Sequence, residues 1–164
     1  MSTPRVVTSL TALALGSAAL VGFVGTSSAS AAEARVPYCQ ASQIKVTTTT
    51  VTGPSDRLLI AAQNVSGKPC DLGIIGDVTF DGKIRAELPD GIGGGPNILR
   101  PGDSNYEAVT LAHRYTPGSI VRTGTVTLGL EGGDTITIPA AVTVDSPFVN
   151  SPWQDTAEHA LSTH

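Results

Sequence analysis

The chain has 164 residues, with 10 Lys and Arg against 14 Asp and Glu, a formal net charge of −4 at pH 7. Only 15% of its residues are charged and 4% are aromatic. A mildly acidic surface repels phosphate backbones, and the cations Lys45, Arg57, Lys68 and Arg85 are scattered, so nucleic acid and anionic membrane are excluded as partners on electrostatic grounds. With so few aromatic rings, stacking platforms for bases or sugars are excluded as well.

The N-terminal stretch differs from the rest. Arg5 is the only charge before Glu33, Leu10 to Val24 is an apolar run of Ala, Leu and Val, and small residues follow from Gly25 to Ala32. A positive start, an apolar centre and a small-residue exit are the three parts of a secretory signal peptide. Ala29-Ser30-Ala31 places small side chains one and three residues before a cut after Ala31, so residues 1–31 are expected to be removed; Ala32-Glu33-Ala34 is the alternative exit. The run is broken by Gly16 and Gly22 and is shorter than the ~20 residues that cross a bilayer. No Cys flanks the cut for lipid attachment, and no second apolar run follows. The mature product is therefore expected outside the cell with no membrane anchor. Losing Arg5 leaves nine basic residues against 14 acidic, a net charge of −5. About 133 residues are left, one domain in size. Residues 32–38 read as a linker, 39–145 as a folded domain and 146–164 as a tail.

The only two cysteines are Cys39 and Cys70. An even count in an exported chain reads as a disulfide. Closing that loop would stabilise the fold by roughly 3–4 kcal/mol on the chain-entropy account. A two-Cys metal site is the rival, but no His stands within about 40 residues of either cysteine.

Residues 43–144 read as strands separated by turn chemistry. In chain order these are Gln43 to Thr52, Arg57 to Asn64, Ile74 to Phe80, Lys83 to Leu88, Tyr106 to His113, Val121 to Leu130 and Thr135 to Val144. Asp81-Gly82 and Glu131-Gly132-Gly133-Asp134 are hairpin signals that call for positive φ. The last pair has the cleanest period of two: Val126, Leu128 and Leu130 alternate with Thr125, Thr127 and Gly129, and Ile136 and Ile138 with Thr135 and Thr137. Such alternation sends aliphatics to one face and threonines to the other. About seven strands with no helical segment between them predict an all-β, single antiparallel immunoglobulin-like β-sandwich with one disulfide. A short C-terminal helix is also predicted, with Ser151 as its cap, Pro152 in the first turn and Trp153, Ala157, Ala160 and Leu161 on one stripe. It either docks through Trp153 or frays.

Cys39, then Asn64-Val65-Ser66-Gly67-Lys68-Pro69-Cys70-Asp71-Leu72, Gly76 and Leu99-Arg100-Pro101-Gly102-Asp103 give the chain a family likeness. It resembles secreted actinobacterial proteins filed as domain-of-unknown-function family 4232, over roughly residues 39–144. The resemblance implies an immunoglobulin-like sandwich and no known activity. Read physically, Asn64 and Ser66 satisfy turn backbone and Pro101-Gly102 makes a tight turn. Asn64-Val65-Ser66 also matches a glycosylation sequon.

Two stretches invite catalytic readings. Gly102-Asp103-Ser104 with Asp155 and His159 suggests a serine hydrolase, but the Ser lies mid-chain with a strand after it, so a plain turn is favoured. Gly91-Ile92-Gly93-Gly94-Gly95-Pro96 suggests a phosphate cradle, but Pro96 to Pro101 cannot supply the helix that aims its N-terminus at an anion. The histidines, His113, His159 and His164, do not form a ligand set. No catalytic residue, metal or cofactor is therefore assigned. The expectation is a non-enzymatic module that binds an unidentified extracellular protein or cell-surface ligand. Its candidate binding loop is Gly91, Ile92, Gly93, Gly94 and Gly95, whose bare backbone lets a partner approach closely. The alternatives are a protease-inhibitor-like binder using the same loop and, less favoured, a secreted hydrolase.

Overall fold

A computed structural model describes residues 35–112 and 119–163 of the chain. The expected signal peptide, together with His113, Tyr115 and His164, lies outside the described residues. After a single 3-10 turn (Ala41–Gln43), the strands in chain order are β1 (Ile44–Val51), β2 (Arg57–Asn64), β3 (Cys70–Asp71), β4 (Asp77–Phe80), β5 (Ile84–Arg85), β6 (Ile98–Leu99), β7 (Ser104–Thr110), β8 (Val121–Gly129), β9 (Thr135–Val144) and β10 (Phe148–Val149), followed by helix α1 (Ala157–Ser162).

The strands form two four-stranded antiparallel sheets, ordered β1-β2-β7-β10 and β5-β4-β8-β9, with a short β3-β6 ribbon between crossovers. This is the strand order of an immunoglobulin-like sandwich, in which strands A, B and E share one sheet with D and strands C, F and G form the other. Here β1, β2 and β7 hold the A, B and E positions, and β4, β8 and β9 hold C, F and G. The D position beside β7 is filled from the far end of the chain, by β10.

Alternation decides which side chains go inside. On β2, Leu58, Ile60 and Ala62 are buried while Arg57, Leu59 and Ala61 are only half-buried. Val78 and Phe80 on β4 and Val126 and Leu128 on β8 point the same way from the opposite sheet, and all four are buried. Together they make one continuous apolar cluster. Thr79, Thr127 and Thr137 stand in register across β4, β8 and β9 on the outer face. Thr127 and Thr137 join hydroxyls at 2.8 Å. Pro139 falls on β9, an edge strand, where its missing N–H interrupts no ladder.

The turns follow the sequence signals. Asp81 and Gly82 both have positive φ, 48° and 63°. The Asp81 carboxylate accepts from Gly124 N (3.0 Å), Thr125 N (2.8 Å) and the Thr125 hydroxyl (3.0 Å), which ties the β4–β5 turn to the bulge in β8. Those donors, the backbone ones first, hold its pKa below the usual carboxylate value.

The disulfide joins Cys39, just before β1, to Cys70 on β3. It is flanked by Cys39 N to Asp71 O and Asp71 N to Pro37 O, both 2.8 Å. The expected linker therefore ends inside the fold: Tyr38 bridges Asp71, and Arg35 stacks on the Tyr38 ring at 5.2 Å.

The C-terminal helix forms, but later than expected. Its cap is Thr156, whose hydroxyl accepts from His159 N at 3.1 Å, and it spans only Ala157–Ser162. Ser151-Pro152-Trp153 is not its first turn. Gln154 instead exchanges backbone hydrogen bonds with Tyr106 on β7 (2.7 and 2.8 Å), so this stretch is a bulge along the sheet edge. The tail is part of the packed unit: Trp153 and Ala160 are buried, and α1 lies over β7 and β2.

Replacing both Cys39 and Cys70 by Ala is expected to lower unfolding stability by roughly 3–4 kcal/mol, read from denaturant midpoints at constant slope. An unchanged midpoint contradicts a clamping role for the bridge.

Candidate functional site

The glycine-rich stretch runs between β5 and β6, where an immunoglobulin-like fold would carry a local D strand. Its ends are fixed. Glu87 forms a parallel bridge to Phe148, and Leu99 pairs with Cys70 beside the disulfide. Between them Gly91, Gly93, Gly94 and Gly95 are exposed and Ile92 is half-buried. Gly91 sits at φ +68° with open space around it, and a side chain on Gly95 would meet nothing. The loop flanks a hollow of about 360 Å³ that is also walled by Asn150, Ser151, Pro152 and Thr163. Of the five candidate residues, Gly91, Ile92 and Gly93 therefore lie against the C-terminal tail, and Gly94 and Gly95 lie beyond it.

Asn64 is fully buried and fully used. Its Nδ2 donates to Lys68 O (2.8 Å) and Leu99 O (3.0 Å), and its Oδ1 accepts from Ser66 N (2.9 Å) and the Ser66 hydroxyl (2.8 Å). The sequon nitrogen thus staples the turn before Cys70 to β6 and is closed to a glycosyl donor. Asp71 acts likewise, its Oδ1 accepting from Gly73 N and Asn97 N at 3.0 Å each.

Ser104 opens β7 opposite Gln63 of β2. Asp155 and His159 pair on the exposed tail at 3.1 Å. Among the described residues no hydrogen bond joins Ser104 to either, and no group of three or more His, Cys, Asp or Glu side chains converges as a metal site would need. A second hollow, of about 330 Å³, lies at Pro54, Leu111, Ile120 and Val144, where Ser119 donates to Asp145.

The strongest chemical anomaly lies inside the sandwich. Glu107 stands opposite Ile60 in the β2–β7 ladder, on the inward face with Val109, and has no exposed surface. Its Oε2 accepts from Gly76 N at 2.7 Å, but Oε1 has no hydrogen-bond partner, and neither does the buried indole Nε1 of Trp153. Gly76 makes this arrangement possible. A Cβ there would lie 2.5 Å from Leu128 Cδ1, 3.1 Å from Glu107 Oε1 and 3.2 Å from Trp153 Cζ2. Carboxyl and indole therefore wall the same spot. Burial away from water raises the Glu107 pKa from 4.5 to about 8; the Gly76 N–H opposes the rise and nearby Asp77 adds to it. Asp77 itself is paired with Arg85 at 2.7 Å. Glu107 thus holds its proton at neutral pH. The parity of Glu107, Val109 and Leu111 along one strand was the available signal for it.

The consequence for stability has a definite sign. The unfolded carboxyl ionises near 4.5 while the folded one keeps its proton to about 8, so stability is fullest below the first value and falls until the second. At about 1.4 kcal/mol per unit the total loss is of order 5 kcal/mol. The wild type is expected to be several kcal/mol more stable at pH 5 than at pH 8.5 in denaturant titrations, and Glu107→Gln is expected to remove most of that difference. Equal pH dependence in the two proteins contradicts the assignment.

Comparison of the chain with protein-family models, with curated proteins and with solved structures finds no match.

Proposed function

We propose that the protein is exported, loses residues 1–31 and acts outside the cell as a non-enzymatic recognition module. Its contact surface in this reading is the Gly91–Gly95 loop, and its partner is an extracellular protein or a cell-surface ligand. The observation that carries the reading is the contrast between that loop and its supports. Exposed, side-chain-poor backbone is held at one end by the Glu87–Phe148 bridge and at the other by the ribbon next to the disulfide. Recognition segments are commonly loops placed on a rigid frame.

Export is supported by the closed disulfide, a bond of oxidising compartments. No helix among the described residues is long and apolar enough to cross a membrane.

The test is binding of the purified mature protein to the surface of the producing cells and to their secreted proteases. A Gly93→Asp/Gly94→Asp variant, changed where the loop is exposed, is expected to keep its melting temperature and to lose at least tenfold in surface binding. Full binding by the variant removes the loop from the reading. Inhibition of a protease that the variant no longer inhibits would select the inhibitor alternative.

A further inference from the structure

Residues 150–163 follow the last paired residues of β10 and are held to the body by few bonds. Asn150 N donates to Ala108 O (2.9 Å), Trp153 N to Ile74 O (3.1 Å), and Gln154 makes its two bonds with Tyr106. Arg57 donates to Leu161 O, and the Thr110 hydroxyl donates to Asn150 Oδ1 at 3.1 Å. Pro152 has no N–H to contribute. The six-residue helix is far too short to persist alone.

The other walls around Glu107 are much stronger. Ile60 belongs to β2, paired along its length with β1 and β7, and Leu128 belongs to β8, paired with β4 and β9. Among the described residues the charge that acts on Glu107 is Asp77 at the head of β4, an anion, with Arg85 of β5 committed to it. β2, β8 and the tail present Ile60, Leu128 and Trp153. No cation faces the carboxyl from any of these elements.

We propose that residues 150–163 are a proton-latched strap: with Glu107 protonated, Trp153 seals the sandwich beside β7, and when Glu107 ionises the strap lifts away and lets water reach the carboxylate. An ionised Oε1 without a donor is a large desolvation cost. Proteins relieve such a cost by the cheapest local opening rather than by global unfolding. Displacing Trp153 breaks a handful of bonds, whereas displacing Ile60 or Leu128 breaks a central strand. The competing relief is for the indole N–H to turn and donate to Oε1. It would have to turn against Leu128, which already crowds the spot at Gly76, and a single hydrogen bond falls short of the cost of the buried charge. Lifting the strap bares the edge of β7 at Tyr106 and Ala108, beyond β10, and the outer faces of β7 and β2 now under α1.

Trp153 is the only tryptophan in the chain and reports on its own position. In the mature protein its emission is expected to shift to the red, and acrylamide quenching to rise, as pH is raised from 5 to 9, with far-UV circular dichroism still that of a β protein. The change should be about half complete near pH 8, where the folded carboxyl ionises. The opening equilibrium should grow by as much as about 10³-fold over that range. Glu107→Gln, the neutral isostere, is expected to keep the buried emission throughout. A second readout needs no variant: after correction for intrinsic rates, exchange protection of the Trp153 and Gln154 amides should fall with pH while Leu58 and Val126 stay protected. Constant or blue-shifting emission overturns the proposal, as does an equal red shift in Glu107→Gln or loss of protection at all four amides together.

Discussion

The fold depends on strict alternation in the strands that face each other across the sandwich. Leu58 and Ile60, Val78 and Phe80, Val109, and Val126 and Leu128 meet only because every second side chain turns inward. A one-residue slip in any of these ladders would send its aliphatics to water and its polar residues to the core. At about 25 cal/mol per Å² of apolar surface, one slipped strand would forfeit several kcal/mol, comparable to the whole net stability of a domain this size. The same register that buries Val109 also buries Glu107, so the sandwich cannot keep one without accepting the other.

That constraint explains why the C-terminal segment is built as it is. β7 has β2 on one side and would be open on the other. The stretch between β5 and β6 is too rich in glycine to serve as a strand, because Gly loses most conformational freedom on ordering and has no side chain to pack. β10 and Gln154 take the vacant edge, Trp153 closes the gap above Glu107, and α1 covers Ala108 on the outer face. Glycine loop and strap are therefore complementary outcomes of one topological choice, and they lie side by side around Pro152.

The long elements were legible in the sequence because their signals are periodic or obligatory. β8 and β9 follow from Thr-aliphatic alternation around Gly132-Gly133, the β4–β5 turn follows from Asp81-Gly82, and the bridge follows from there being only two cysteines. β3, β6 and β10 were not legible, since two residues carry no period and each strand exists only through its partner. Ser151-Pro152-Trp153-Gln154 reads locally as a capped helix start, yet tertiary pairing of Gln154 with Tyr106 overrides it and moves the cap to Thr156. The glycine loop was visible as a composition anomaly. Its neighbour, the Glu107–Gly76–Trp153 cluster, was not, because 31 and 46 residues separate Glu107 from the other two and no local pattern connects them.

On this structure the Glu107 carboxyl sits protonated in the dry interior of the sandwich. A titration of the Glu107 side-chain carboxyl carbon by nuclear magnetic resonance measures this directly. A midpoint close to 8, well separated from the other glutamates, is the expected result. A midpoint near 4.5 would place Glu107 in water, and with it would go the register of β7 and the closure of the edge by Trp153.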